Sequence, residues 1–576
     1  MCGIVGYVGK NISIKTAITA LKKLEYRGYD SSGVAYINDK QIQHIKQVGT
    51  IDKLLSQITN QASNVCICHT RWATHGKVDI NNAHPQLSPN KQFAVVHNGI
   101  IENYQQLKEQ FGLKDFTSQT DTEIVAQLLQ NFTGPTLQRL NKIVSLLNGS
   151  YALAITDSSE YLYVAKYKSP LYVAKESSGY MVASDICCFN STEYYSLPDG
   201  CVARISKNKT EFYMHGKPVN LSSTINTYNF QEVALNGHKH FMDKEIDETN
   251  NVINNICTRY LTLEKQLFSK NIFKDVSNVY LVGCGTAYHA CQMAEIWIKE
   301  NYKIHAQAYI ASELRYSEDL MDSNSLVILL SQSGETADTL ACATLAKQKN
   351  AKICAITNVE YSTLANIADI LYPLCAGPEI GVASTKAYSA MLSVLYLISN
   401  INIGLQQAIS NLKQVSGLLN IDVSQNIIQM VSKSKRVFFI GRSCDGVSAY
   451  EGALKLKEVA YIDACGYYAG ELKHGTIALI EPNVVVFAII TNNSLKSKTL
   501  NAVQEVLSRG ATVVVITDDA ELSGDFYKIN IPLINNNQLK NILAVVPLQK
   551  LAYKVACSLG HNPDKPRNLA KSVTVE

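Results

Sequence analysis

Val279-Tyr280-Leu281-Val282-Gly283 and, 158 residues later, Val437-Phe438-Phe439-Ile440-Gly441 are two versions of one apolar run ending on one glycine. Each is a short β-type stretch followed by a longer amphipathic one, the pattern of a βαβ unit in a parallel sheet. The match spreads outward from there. Lys299-Glu300 falls on Lys457-Glu458 at the same spacing, and Thr339-Leu340 and Ala355-Ile356-Thr357 fall on Thr499-Leu500 and Val515-Ile516-Thr517, 160 residues on. Spacings this similar over so long a stretch predict two copies of one α/β domain from about residue 250 onward.

The copies part at a telling place. After its second strand (Leu326–Leu330) the first reads Ser331-Gln332-Ser333-Gly334-Glu335-Thr336, where the second reads Thr491-Asn492-Asn493-Ser494-Leu495-Lys496. Backbone N–H groups at a helix N-terminus, with hydroxyls beside them, suit a phosphate, and Gly334 lets the backbone approach closely. The same residues also suit an ordinary polar turn with a serine cap. One phosphate site per chain, in the first copy, is the expectation.

The first ~220 residues are built differently. Short runs recur at Gly3–Val8, Gly33–Ile37, Val65–His69, Phe93–His97, Tyr151–Thr156, Tyr161–Ala165, Leu171–Ala174, Tyr180–Ala183 and Cys201–Ile205, punctuated by Gly, Asn, Asp and Ser. Helical patterns are fewer, at about Ile14–Leu24, Glu102–Gln110 and Asp121–Asn131. An α+β layered domain with antiparallel sheets follows. The polar stretch Ser222–His240 reads as a linker.

Composition narrows the classes. At 576 residues with 46% hydrophobic and 18% charged residues, three or four domains can each bury a core. A net charge of +4 without a basic block argues against nucleic acid. Fifteen cysteines without paired C-x-x-C spacing predict no metal site and reduced thiols, hence a cytoplasmic protein. No apolar run approaches the ~18 residues of a membrane span.

Cys2, in Met1-Cys2-Gly3-Ile4-Val5-Gly6, stands apart from the other thiols. Removal of Met1 leaves a thiol and an α-amine on one residue, with ordinary pKa values of about 8.5 and 8. That is the arrangement of an N-terminal nucleophile with its own proton acceptor. An incidental cysteine near a terminus is the competing reading.

Several longer motifs stand in order: Tyr26-Arg27-Gly28-Tyr29-Asp30-Ser31, His69-Thr70-Arg71-Trp72-Ala73-Thr74-His75-Gly76, His97-Asn98-Gly99-Ile100-Ile101-Glu102-Asn103, Ser331–Leu340, Glu379–Lys386, Glu451–Glu458, Gly470–Gly475 and Pro566–Glu576. With Cys2 they resemble the glutamine–fructose-6-phosphate aminotransferases (isomerizing) over essentially the whole chain. The resemblance implies an N-terminal-nucleophile (Ntn) glutaminase domain at 1–221, a linker at 222–250, sugar isomerase (SIS) domains of flavodoxin-like architecture at 251–410 and 425–565, and a tail at 566–576. It implies a homodimer, no cofactor, and conversion of fructose 6-phosphate and glutamine to glucosamine 6-phosphate and glutamate.

By this resemblance Cys2 attacks the glutamine amide, and the Asn98 side chain and Gly99 N–H hold the oxyanion. Asn98-Gly99 closes the strand-like run Phe93–His97, and a hairpin turn is its alternative reading. Arg71 matches the ligand of the glutamine carboxylate, a bidentate pairing, and Asp121 the ligand of the α-ammonium, although its position also suits a cap for the next helix. Thr74 and His75 line the site. Arg27 lies near the nucleophile, where its charge favours thiolate. Trp72 matches the gate of an ammonia channel.

In the second half, Thr286, Ser331, Gln332, Ser333 and Thr336 match the phosphate ligands. Ala287 departs from the family, which has Ser there; the missing hydroxyl removes a hydrogen bond to a charged group of about 1.5–3 kcal/mol. His474 matches a ring-opening residue contributed by the partner subunit. Glu458 matches the enolisation base and Lys455 its helper, three apart on one helix face. A solvated helix carboxylate is the plain alternative for Glu458. Lys571 matches the lysine that forms a Schiff base with the open sugar, and its tail, β-prone near the end, is expected to be buried between domains.

Three rivals are weaker. Other amidotransferases with the same N-terminal module would need a phosphoribosyl-pyrophosphate or pyrophosphatase loop, and neither is present. A non-catalytic sugar-phosphate sensor would not need Cys2, Glu458, His474 and Lys571 together. A fructosamine-phosphate deglycase would not need Cys2.

Overall fold

Alternation along the strand Phe93–Ile101 sets the layering of the first half. Ala94 and Val96 face one core together with Ile4, Val8, Ile67, Ala152, Ala154 and Val182. Phe93 and Val95 face another, with Leu153, Ile155 and the helix residues Ile124, Val125, Leu128 and Leu129. Period-two patterning thus gives one sheet two apolar faces, and three helices (Tyr104–Gln110, Glu123–Asn131, Thr136–Val144) cover the outer one.

The computed structural model describes residues 2–73, 76–226, 234–269, 271–317 and 320–574. The chain divides into two units, Met1–Gln231 with Ala570–Glu576, and Glu232–Leu569. In the first, an antiparallel sheet runs in the order Thr224–Ile225, Glu193–Ser196, Tyr172–Glu176, Gly179–Ala183, Gly3–Ser13, Ala62–Arg71, Ser31–Asn38, Gln41–Val48. It stacks on a second, ordered Lys217–Val219, Thr210–Met214, Cys201–Ile205, Leu162–Tyr167, Gly149–Asp157, Phe93–Ile101, Gln86–Leu87. The helix Ile14–Lys22 packs on the far side of the first sheet, so the layers run helix, sheet, sheet, helix.

The second unit holds the expected repeat. One parallel sheet is ordered His305–Ile310, Asn278–Gly283, Ser325–Ser331, Lys352–Thr357, Ile370–Pro373; the other is ordered Asp463–Tyr468, Arg436–Gly441, Val485–Ile490, Thr512–Thr517, Tyr527–Asn530. Both follow the 2-1-3-4-5 order of flavodoxin-like folds. The helix after each first strand has 17 residues, Thr286–Tyr302 and Cys444–Ala460. The backbone entering them is the same, Gly285 at φ 54°, ψ −124° and Ser443 at φ 52°, ψ −127°. Both leave through a left-handed residue, Lys303 at φ 56° and Tyr461 at φ 57°. These two helices pack on each other, and the helix Lys386–Ser399, buried along its whole length, lies in the same continuous core.

Sheet register refines the repeat. Val279 pairs with Leu326, and Val437 with Val485, so at this strand, the third of each copy rather than the second expected from the sequence, the copies are 159 residues apart, between the spacings of 158 and 160. The equivalents of Gln332 and Ser333 are therefore Thr491 and Asn492.

Parts of the expected linker, 222–250, carry regular structure among its described residues. Thr224–Ile225 pairs with Glu193–Tyr194 in the first unit's sheet. Phe241–Asp247 is a helix whose Met242 and Ile246, four apart, are buried in the second unit's core. Asp564 accepts from the Phe241 and Met242 N–H groups at its start. A polar surface hid two apolar anchors at helical spacing. The strand Gln41–Val48 and helix Thr136–Val144 were not foreseen. No described helix is long and apolar enough to cross a membrane.

Candidate active sites

Cys2 immediately precedes the strand Gly3–Ser13 and is half-buried. Its Sγ accepts from the Trp72 N–H at 3.3 Å, and its carbonyl accepts from Asn98 Nδ2 at 3.0 Å. Burial pushes the thiol pKa up, opposed by the Trp72 N–H and the charge of Arg71. Three strands thus converge on Cys2: the one that begins beside it, the one ending at Arg71, and the one carrying Asn98.

Asn98-Gly99 is not a hairpin turn and does not close the strand. The strand runs on to Ile101, with Gly99 opposite Tyr151. Gly99 has φ 130°, and a Cβ there would stand 2.0 Å from the Ser150 carbonyl oxygen, so only glycine fits. The Asn98 amide is fixed from behind: His69 Nε2–H donates to its Oδ1 at 3.0 Å, leaving Nδ2 to face Cys2. Burial lowers the His69 pKa to about 3, so its ring is neutral at ordinary pH. The sequence signal for His69 is its position two residues before Arg71, on the same face of one strand.

Arg71 is buried, and that burial lowers its pKa, opposed by Cys2, Asp30 and Asp121 nearby. Asp30 pins the following residues by accepting from the Ala73 N–H at 2.9 Å. Asp121 does not cap the next helix, which has no side-chain cap; its Oδ2 accepts from the Ile101 N–H at 2.7 Å. Arg27 is ion-paired with Asp185, and its Nε donates to the Tyr26 hydroxyl at 3.2 Å. That pairing gives its charge a local partner. The half-buried Trp72 sets its ring edge-on to Tyr29, centroids 5.8 Å apart. Thr74 and His75 lie outside the described residues.

In the second unit, Ser331 ends a strand and Thr336 precedes the helix Ala337–Gln348. Their hydroxyls are 2.9 Å apart, and the Gly334 N–H donates to Ser331 Oγ at 3.0 Å. Gln332 and Ser333 lie between them on the loop. Gly334 has φ 66°, and a Cβ there would fall 2.0 Å from Ser362 Oγ, so its lack of a side chain serves packing against Ser362.

One hydroxyl joins the two copies. Thr286 Oγ1 accepts from Lys455 Nζ at 3.0 Å and donates to Glu451 Oε1 at 3.1 Å. Lys455 is fully buried, 2.6 Å from Glu458 and 3.5 Å from Glu451. Burial pulls its pKa down, but Glu458 and Glu451 more than offset this and hold it above the usual lysine range. His289 Nδ1 lies 2.7 Å from the other oxygen of Glu451. Glu451 and His289 had not been singled out; the i, i+4 spacing of Glu451 to Lys455 was the signal. Glu458, whose side chain is 21% exposed, is the member of this group that opens outward. It is not the plain solvated carboxylate of the alternative reading, since it is ion-paired to a buried lysine.

His474 ends a short 3-10 segment, Leu472–His474, and is exposed. Lys571 is half-buried, Ser572 buried and Val573 55% exposed. The β-prone tail forms no strand in its described residues; Pro566 and Ser572 are its buried residues there.

Comparison with known proteins agrees with this geometry. A glutamine amidotransferase domain model matches residues 69–191, and an SIS domain model matches twice, at 272–400 and 430–546. Glutamine–fructose-6-phosphate aminotransferases [isomerizing] of Fusobacterium nucleatum and Clostridium acetobutylicum are 38% and 39% identical, each over the full length of both chains. Among solved structures, the C-terminal domain of glucosamine-fructose-6-phosphate aminotransferase from Francisella tularensis covers 58% of this chain and 100% of its own, with TM-score 0.54 and 32% identity. Tagatose-6-phosphate ketose/aldose isomerase from Escherichia coli shares the fold, covering 59% of this chain and 99% of its own at TM-score 0.51 and 17% identity. Matched over its full length and carrying an amidotransferase domain followed by paired SIS copies, the chain belongs to the glutamine–fructose-6-phosphate aminotransferase (isomerizing) family.

Proposed function

We propose that this chain makes D-glucosamine 6-phosphate and L-glutamate from D-fructose 6-phosphate and L-glutamine, the entry step to hexosamine precursors. The observation that carries the reading is the pair of chemistries on one chain: a thiol set against an oxyanion donor, and a buried lysine clamped by two carboxylates beside the phosphate-loop copy.

The Cys2 thiolate attacks the side-chain amide carbon of glutamine while its α-amine, through water, moves the proton. Asn98 Nδ2 and the Gly99 N–H take the charge on the carbonyl oxygen. Arg71 and Asp121 hold the carboxylate and ammonium of the amino acid, with Thr74, His75 and Arg27 completing the site. Ammonia leaves, and water releases glutamate from the thioester. The chain's free amine requires removal of Met1; a form that retains Met1 is expected to lose glutamine hydrolysis.

Ser331, Gln332, Ser333, Thr336 and Thr286 hold the sugar phosphate. His474 of the partner subunit in a homodimer opens the ring, since an imidazole gives and takes a proton near neutrality. Lys571 captures the open ketose as a Schiff base, ammonia replaces the lysine, and Glu458 moves a proton between C1 and C2. Lys455, 2.6 Å from Glu458, assists that proton movement. Trp72 gates ammonia away from water. The reaction needs no cofactor, and its setting is the cytoplasm.

The test supplies fructose 6-phosphate and amide-¹⁵N-glutamine and follows label into glucosamine 6-phosphate; label appearing only as free ammonia overturns the proposal. Deleting residues 566–576 is expected to abolish synthesis and spare glutamine hydrolysis. Trp72→Ala is expected to release ammonia uncoupled from sugar amination, and full coupling in that variant removes the gate assignment.

A further inference from the structure

The second SIS copy carries a buried carboxylate at the place where the first carries a methyl group. Ala287, one residue into the helix Thr286–Tyr302, corresponds to Asp445, one residue into Cys444–Ala460. Both helices enter through the same backbone geometry, so the two side chains leave equivalent points in equivalent directions. Ala287 offers a methyl group. Asp445 reaches across to the loop after the third strand, Val485–Ile490, where its Oδ2 accepts from the Thr491 N–H at 2.9 Å and the Asn492 N–H at 3.3 Å. Its Oδ1 accepts from Thr491 Oγ1 at 2.5 Å and Asn541 Nδ2 at 3.1 Å. Sheet register makes Thr491 and Asn492 the counterparts of Gln332 and Ser333.

We propose that the second copy is an oxyanion cradle filled from within, with the Asp445 carboxylate seated where a phosphate would sit, and that this internal anion limits the chain to one sugar phosphate. Two backbone N–H groups, a hydroxyl and a side-chain amide converging on one point are the donor set of an anion site. Asp445 is 2% exposed, so no external ion shares those donors while the carboxylate is in place. Burial pushes its pKa up to about 6 against the pull of the same donors, so it is ionised at pH 8. The charged groups nearest the loop pair with each other: Lys540 Nζ lies 2.7 Å from Asp518 and donates to the Thr491 carbonyl at 3.3 Å.

The inference rests on the phosphate reading of the first copy, and the experiment separates the two. Equilibrium dialysis of the full chain with radiolabelled inorganic phosphate at pH 8 is compared for the parent and Asp445→Ala, which gives the second copy the side chain of the first. The expected result is one bound phosphate per parent chain and two per variant chain. One in each overturns the internal-anion proposal and leaves the first site standing. None in the parent and one in the variant supports the cradle and removes the first-copy assignment. None in either overturns both. If Asp445→Ala does not fold without phosphate, refolding yield across a phosphate series replaces dialysis. Recovery that depends on phosphate supports the proposal, and recovery that ignores it, or no recovery, overturns it.

Discussion

The two SIS copies share a backbone and have divided the chemistry between them. In the helix Thr286–Tyr302 the residues at one set of positions are Met293, Trp297 and Glu300; in Cys444–Ala460 the same positions carry Glu451, Lys455 and Glu458. Trp297 is fully buried and packs edge-on to Tyr396, ring centroids 6.3 Å apart. Lys455, equally buried, is held by two carboxylates. The first helix stabilises its domain through apolar burial, whereas the second puts an ion cluster into the same slot at a desolvation cost. Conversely, the first copy has the hydroxyl-rich loop, while the loop of the second is turned inward onto Asp445. The lesson is that the fold fixes where a side chain points, and the residue at that point decides whether the position is core, cradle or acid–base group.

The sharpest way to break this contrast is to exchange equivalent glutamates. Glu458→Gln is expected to lower glucosamine 6-phosphate synthesis by about 10²–10⁴-fold with glutamine hydrolysis retained, whereas the exposed Glu300→Gln is expected to change neither rate. Equal losses in both would erase the distinction. Lys455→Met leaves Glu451 buried without its ammonium and is expected to cost about 3–5 kcal/mol, read by denaturant unfolding; the added change Glu451→Gln is expected to restore part of it. Asp445 supplies a pH test. Its pKa rises from 3.8 to about 6 on burial, so its contribution to stability is full below about pH 4 and lost as pH rises through 6. Relative to Asp445→Asn, the parent is expected to lose about 3 kcal/mol over that interval, measured as the difference in melting curves; a flat difference would contradict it. Smallest is Ala287→Ser, expected to tighten fructose 6-phosphate binding by about tenfold or more through one hydrogen bond to the phosphate, measured by titration calorimetry. Unchanged affinity would show that the missing hydroxyl does not matter.

The repeat was legible because parallel strands buried on both faces leave continuous apolar runs, and Val279–Gly283 and Val437–Gly441 are such runs. The strands of the first unit were legible from alternation, as at Cys201–Ile205. What stayed hidden depended on partners far along the chain. Asn98-Gly99 has turn chemistry locally, yet Tyr151 opposite and the Ser150 carbonyl hold it in a strand. Asp121 stands where a cap would, yet the Ile101 N–H, 20 residues away, claims it. The helix Phe241–Asp247 reads as part of the expected 222–250 linker because Met242 and Ile246 are its only buried apolar residues, and Lys244 and Glu245, buried beside them, read as polar surface. Glu451 and His289, 162 residues apart, meet only because two helices cross. Cys2, Arg71, Lys455 and Glu458 were legible as residues, but their distances were not.

The bridge through Thr286 has a consequence for the history of this chain. A duplication begins as two interchangeable parts, and either can later be lost or replaced. Here the hydroxyl of one part completes the bonding of a buried lysine in the other, and in exchange the second part's glutamate fixes the rotamer of that threonine. A change at Thr286 in one half, or at Glu451 or Lys455 in the other, is therefore expected to be felt by its twin. Duplicated genes under such a constraint are expected to change in step at these positions, and recombination between them is expected to be selected against.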